Sequence, residues 1–226
     1  MCGRFALYHD RATLAEHLYV CDIAVEFQPR YNIAPTQAVA AVLNPPERSE
    51  PVLDALQWGL VPFWAKDDRI GSRMINARAE TVAEKPAYRA AFKRRRCLLP
   101  ASGYYEWKKQ ENGKTPHYIS MADGRPIAMA GLWEEWNSPE GELLHTCTII
   151  TTEASKRVAP VHHRMPAILD DASQCRWLET DPDERAALQA LLVPYDGDDL
   201  QFYPVSTQVN AAQWDDSACI EPVLNG

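Results

Sequence analysis

Apolar positions along the chain recur in short runs rather than over long periods, a pattern that predicts many short strands broken by a few helices. Stretches rich in β-branched, aromatic and other apolar residues read as strands at Ala38 to Leu43, Val52 to Leu60, Cys97 to Leu99, His117 to Met121, Ile127 to Trp133 and His145 to Thr151. In the last of these, His145, Cys147 and Ile149 fall on one face and Thr146, Thr148 and Ile150 on the other. A helix is predicted from Asp10, an N-cap residue type, through Leu14 and Leu18 at i, i+4 spacing. Further helices fit Val82 to Phe92, Ala172 to Leu178 and Asp183 to Leu192, the last two opening after acidic cap residues. Strands interrupted by isolated helices do not give a regular βαβ alternation. The expected fold is α+β, with mostly antiparallel sheets curled into a barrel-like core and helices outside.

Composition narrows this picture. With 226 residues, 46% of them hydrophobic, the chain can bury a sizeable core, and its length suits one domain spanning residues 1–226. Seventeen prolines and ten glycines are scattered, and no repeat, low-complexity tract or Gly/Ser linker marks a boundary. The opening MCGRFALYHDR carries Arg4 and no apolar run of signal-peptide length, and no stretch of about 18 apolar residues follows, so the expectation is a cytoplasmic protein, a monomer with no membrane partner. Six cysteines without a secretion signal read as reduced thiols. No C-x-x-C occurs and no histidine sits at zinc spacing from a cysteine pair, so neither a metal nor a cofactor is expected.

The net charge of −8 excludes a protein that coats nucleic acid by bulk attraction, and leaves only local contact. Positive charge is concentrated at Lys93, Arg94, Arg95 and Arg96, while Asp181 to Glu184 and Asp196 to Asp199 make the C-terminal third acidic. The basic run reads either as a solvated helix end or as a phosphate contact.

Cys2 is the residue with the most distinctive chemistry. A small second side chain lets the initiator methionine be removed, and what remains is a free α-amine beside a β-thiol. The amine, with a reference pKa of about 7.7 to 8.0, is partly neutral at pH 7 and able to attack an aldehyde. The thiol, at a pKa of about 8.5, supplies a few per cent of thiolate. Two carbons apart, the pair can capture one aldehyde carbon twice, first as an imine and then through sulfur, closing a five-membered thiazolidine far more durable than the imine.

Four further segments set polar groups among aromatic or apolar neighbours, as a pocket wall does: YNIAPTQ at Tyr31 to Gln37, INARAET at Ile75 to Thr81, GYYEW at Gly103 to Trp107 and VHHRMPAIL at Val161 to Leu169. With MCGR at the start and WGLVPFW at Trp58 to Trp64, these six ordered motifs closely resemble the SRAP family of abasic-site processing proteins, from Met1 to about Ser206. The resemblance implies the SRAP fold, a role in the DNA damage and SOS responses, and capture of abasic sites in single-stranded DNA through a covalent protein–DNA link. It also implies a lyase-like activity, with Met1 removed by self-cleavage in some members, which adds a peptidase label.

Carried over residue by residue, the family pattern makes Cys2 the DNA-linking nucleophile and Asn76 its neighbour at the opened sugar. An amide there can donate to oxygen and accept from an amine. Glu106 matches the glutamate that assists ring opening and proton transfer. Between Tyr105 and Trp107 its carboxyl is expected to be partly desolvated, although in an extended strand it would point away from both rings. The His-x-Arg-Met-Pro pattern selects His162 over His163 as the imidazole that holds the sugar hydroxyl and shuttles protons. Arg4 and Arg78 match phosphate-gripping positions, Arg164 offers a fork of donors suited to phosphate, and Phe63 and Trp64 match an aromatic wedge on which bases stack. Trp58 reads as core.

Two other readings compete. MCG also opens amidotransferases whose N-terminal cysteine hydrolyses glutamine, but those continue with an apolar segment where Arg4 stands here. A noncovalent single-strand binding module would need neither Cys2 nor an aldehyde.

Overall fold

The structure is a computed structural model that describes residues 2–20, 22–23, 25–45 and 48–223. In chain order its first strands are β1 (Phe5–Leu7), β2 (Asp22–Ile23), β3 (Arg30–Ile33), β4 (Ala38–Leu43), β5 (Val52–Trp58), β6 (Asn76–Arg78) and β7 (Arg96–Ala101). There follow β8 (Gly103–Gln110), β9 (Gly113–Met121), β10 (Ile127–Asn137), β11 (Leu143–Glu153), β12 (Arg164–Pro166), β13 (Ile168–Leu169) and β14 (Leu200–Pro204). The helices are short: α1 (Arg11–His17), α2 (Arg89–Arg94), α3 (Asp171–Glu179) and α4 (Arg185–Ala190).

Strands β11, β10, β7, β4 and β5 lie side by side in antiparallel pairs, and β5 returns to pair parallel with β11 through Thr146 opposite Gln57 and Cys147 opposite Trp58. That last pairing closes a five-stranded barrel, which leaves those strands no open edge. A second, antiparallel sheet has the order β14, β9, β8, β1, β3. Its two faces follow the period of two along each strand. Phe5, Tyr104 and Ile119 join the main core, whereas Ala6, Tyr105 and Tyr118 form a smaller core with Val205, Val209 and Cys219 of the C-terminal segment. Phe5 meets Trp58 of β5 edge to face at 5.2 Å, so the two sheets are packed together directly beyond Cys2.

The α+β reading and the barrel are present as expected. The predicted alternation of β11 does not separate a wet face from a dry one, because every residue from Thr146 to Thr152 is buried, with both faces covered. The helix predicted over Val82 to Phe92 contracts to α2, and residues 79–88 form turns instead. Pro86 has no N–H to give and its ring disfavours a helical Lys85, so a helix cannot run from Val82 through this point. The carboxylate of Asp10 accepts from Thr13 N–H at 2.9 Å and that of Asp170 from Ser173 N–H at 2.8 Å, caps worth about 1 kcal/mol each. Helix α4 has no such side-chain cap, and is shorter than predicted.

Most of the basic run serves the fold. Arg96 is buried and donates to the carbonyls of Phe92, Lys93, Trp177 and Thr180 at the C-terminal ends of α2 and α3, where a helix leaves its last carbonyls without intrahelical donors. Arg95 pairs with Glu134 and Lys93 with Asp183, leaving Arg94 exposed. Cys2, Cys97, Cys147, Cys175 and Cys219 are free thiols, while Cys21 lies outside the described residues. Among the described residues no helix is long and apolar enough to cross a membrane, and no group of three or more His, Cys, Asp or Glu could hold a metal ion.

Candidate active site

The site forms where the two sheets meet, and β8 and β11 supply its framework. Phe5 pairs with Tyr104 and Ala6 with Gly103, and Tyr105 N–H donates to the carbonyl of Arg4 at 2.9 Å. Extending that register two residues back along β1 and two forward along β8 sets Gly3 across from Glu106, so the chain start is laid along the strand that carries the carboxylate. Gly103, the first residue of GYYEW, permits the close packing of β9 on the other side of β8: a Cβ there would lie 2.4 Å from the Tyr118 ring and 2.6 Å from the carbonyl oxygen of Ile119.

Strand β11 contributes from both edges. Along one edge it pairs with β10 and then β12, and along the other with β5 and then β6. Asn76 and Arg78 on β6 therefore flank Ile149 to Thr151 on one side, while Arg164 on β12, just after His162, lies opposite Glu153 on the other. The Asn76 amide donates to the carbonyl oxygen of Cys2 at 2.8 Å, and Tyr88 donates its hydroxyl to the carbonyl of Asn76 at 3.2 Å. Asn76 Oδ1 is buried and without a hydrogen-bond partner among the described residues.

Cys2 is fully buried, and burial pushes its thiol well above the ordinary range, with the nearby Glu106 charge adding to the effect. Glu106 is 2% exposed, and burial raises its carboxyl as well. The desolvation does not come from Tyr105 and Trp107 as the sequence suggested. Because the segment is strand, Glu106 faces away from both, on the side of Tyr104 and the main core.

His162 Nδ1 lies 3.7 Å from Glu106 Oε1 and 3.1 Å from Arg164 N–H, which donates to it in the Nε2-protonated tautomer. The Arg164 carbonyl lies 3.2 Å from the same nitrogen, ready to accept if Nδ1 becomes protonated. Burial lowers the His162 pKa. The His163 ring lies 4.4 Å from it, tilted by 37°, but is exposed, and the charge of His162 lowers its pKa. Cys2, Asn76, Glu106 and His162 thus form one connected cluster.

The remaining expected residues divide. Arg78 is exposed, two residues beyond Asn76. Phe63 and Trp64 are 59% and 50% exposed on a turn fixed by Ala65 N–H to Pro62 and by Trp136 Nε1 to Ala65, so two large rings face solvent on a rigid support. Trp58 is buried and donates to Ile75. Arg164, by contrast, is 7% exposed, and its fork is taken by Glu80 at 2.6 and 3.1 Å and by the Thr151 carbonyl at 2.5 Å. The guanidinium thus ties β12 to Glu80 and β11, while its own main-chain N–H meets the His162 imidazole. Arg4 is half-buried and donates to Asn32 Oδ1 at 2.7 Å and to the Val209 carbonyl at 2.8 Å, which ties it to the fold. The YNIAPTQ segment is likewise structural: buried Asn32 donates to the carbonyls of Val209, Ala211 and Trp214 and anchors the C-terminal segment.

Sequence reasoning did not single out Glu80, Tyr88 or Tyr104. The signal available for Tyr104 was its place two residues before Glu106, on the same face of a strand.

The family model described as SOS response associated peptidase (SRAP) matches residues 1–212. The chain is similar to the abasic site processing protein YoqW of Bacillus subtilis, at 43% identity over 98% of this chain and 99% of the relative. It is also similar to the abasic site processing protein HMCES of Gallus gallus, at 34% identity over 88% of this chain and 68% of the relative. A crystal structure of a protein from Bacteroides thetaiotaomicron superposes with a TM-score of 0.86 at 25% identity, covering 99% of this chain and 100% of that one.

Proposed function

Because this chain belongs to the SOS response associated peptidase (SRAP) family, we propose that it captures abasic sites in single-stranded DNA by joining Cys2, once Met1 is lost, to the ring-opened sugar as a thiazolidine. The names of its relatives, abasic site processing proteins, support the substrate. The observation that carries the chemistry is the Cys2 backbone held by Asn76 beside Glu106 and His162. A free α-amine at Cys2 attacks the aldehyde carbon of the opened sugar, and loss of water gives the imine. Glu106, whose buried carboxyl holds a proton more readily than usual, protonates the leaving oxygen. The Cys2 sulfur then adds to the same carbon. Asn76 Oδ1, a buried acceptor, is suited to a proton on the Cys2 nitrogen. His162, neutral through burial and adjacent to Glu106, is suited to the sugar hydroxyl and to the proton needed for reversal.

Positioning of the strand falls to few groups, consistent with the net charge of −8. Arg78 contacts a phosphate, and Phe63 and Trp64 take base faces without reading sequence. The family description as a peptidase supports self-cleavage of Met1, a residue outside the described ones. Intact-mass analysis of Met1-free protein with abasic single strands tests the reading, against a Cys2→Ala control. Retention of Met1 in purified Glu106→Gln, but not in wild type, tests the self-cleavage.

A further inference from the structure

Two adjacent tyrosines on β8 are satisfied in opposite ways. Tyr105 points to the smaller core and donates its hydroxyl to the Tyr31 carbonyl at 2.5 Å. Tyr104 points to the main core, is 0% exposed, and its hydroxyl has no hydrogen-bond partner among the described residues. A buried hydroxyl left unpaired costs stability that a phenylalanine of the same shape would not, so the group has no use to the fold. Its surroundings supply one. Tyr104 shares its strand face with Glu106, sits opposite Phe5 in the β1 register, packs in the same core as Cys2, and lies within electrostatic reach of both the Cys2 thiol and the Glu106 carboxyl.

We propose that Tyr104 is a catalytic residue whose hydroxyl donates a hydrogen bond to the Cys2 sulfur during ring closure, an inference that rests on the thiazolidine reading above. The step balances as follows in atoms and charge. The Cys2 S–H proton passes to the Glu106 carboxylate, and the resulting thiolate attacks the carbon of the protonated imine. A C–S bond forms as the C=N π pair returns to nitrogen, which keeps its proton. Tyr104 gives up no proton in this step, because burial and its two acidic neighbours hold the phenol well above its ordinary range and it stays a donor at any pH where the reaction runs. The Arg4 backbone already favours sulfur charge through a hydrogen bond, and Tyr104 adds a second fixed donor in a pocket where burial and Glu106 both oppose the thiolate.

The test compares Met1-free wild type, Tyr104→Phe and Tyr105→Phe in three measurements: melting temperature, the rate of durable crosslinking to abasic single strands, and the pH dependence of Cys2 alkylation by iodoacetamide, located by peptide mass mapping. A hydrogen bond to a charged group corresponds to about a tenfold to hundredfold effect. Tyr104→Phe is expected to melt no lower than wild type, to crosslink slower by that factor, to give as much borohydride-trapped imine, and to alkylate with a midpoint at higher pH. Tyr105→Phe is expected to melt lower while keeping the wild-type alkylation profile. Wild-type crosslinking and alkylation in Tyr104→Phe would overturn the proposal, and so would a lowered melting temperature, since the hydroxyl would then serve the fold. Failure of wild type itself to crosslink would overturn the thiazolidine reading, while the alkylation profiles would still decide whether Tyr104 acts on the thiol.

Discussion

The side-chain amide of Asn76 holds the carbonyl oxygen of Cys2 at 2.8 Å, so β6, paired to the barrel strand β11, fixes the chain start independently of the thiol. The hydrogen bond uses the amide nitrogen and leaves Oδ1 buried and free for another partner. Asn76→Ala removes both. A misplacement of about 1 Å costs on the order of a hundredfold, so crosslinking by Asn76→Ala should slow by about that factor while weak binding of the strand persists. Single-turnover gels over a range of DNA concentrations check this; a change in half-saturation with an unchanged plateau rate would count against a positioning role.

Glu106 yields linked predictions for rate and stability. As a general acid it should contribute about a hundredfold to ten-thousandfold, and Glu106→Gln should slow crosslinking accordingly. Burial raises its pKa in the fold, so between the unfolded value of about 4.3 and the folded value the native state binds the extra proton, and stability falls as pH rises through that window. Glu106→Gln should therefore melt higher than wild type at neutral pH and lose the advantage below about pH 4. Melting curves across pH read this directly, and a variant less stable than wild type at pH 7 would contradict it.

His162 and His163 separate by release rather than capture. The ring beside Glu106 is suited to return a proton to the thiazolidine, so preformed adducts of His162→Ala should release DNA more slowly than wild type in a chase with unlabelled abasic strand, while His163→Ala should change little. Slowed release confined to His163→Ala would assign the role to the exposed ring.

The arginines test the division between fold and DNA. Each phosphate neutralised on a single strand contributes a slope of about −0.7 to the dependence of log affinity on log salt, so Arg78→Ala should flatten the slope by roughly that amount. Arg164→Ala should leave the slope unchanged and lower stability by about 1–3 kcal/mol per lost charged hydrogen bond, since its guanidinium serves Glu80 and Thr151. The reverse pattern would place Arg164 on the phosphate.

The sequence carried the fold class and the four clustered residues further than it carried the arginines. Strands such as β4 and β11 were legible because apolar runs between turn residues reflect burial directly, and Cys2, Asn76, Glu106 and His162 because each motif is local. The environment of Glu106 was not legible, since a residue's immediate neighbours in a strand face away from it and its real surroundings come from β1 and the main core. The internal partners of Arg4 and Arg164, namely Asn32, Val209 and Glu80, were not legible because they lie 28, 205 and 84 residues away. The helix over Val82 to Phe92 failed at Pro86, where periodicity and backbone chemistry disagree.

The most direct measurement of the central claim is the intact mass of Met1-free protein after incubation with a single strand bearing one abasic site. The account predicts a heat-stable species whose mass is protein plus DNA less one water, absent with intact DNA, and absent for Cys2→Ala except as an imine trapped by borohydride. A durable adduct with the same mass increment in Cys2→Ala, or noncovalent binding as tight without the aldehyde and no adduct from wild type, would contradict it.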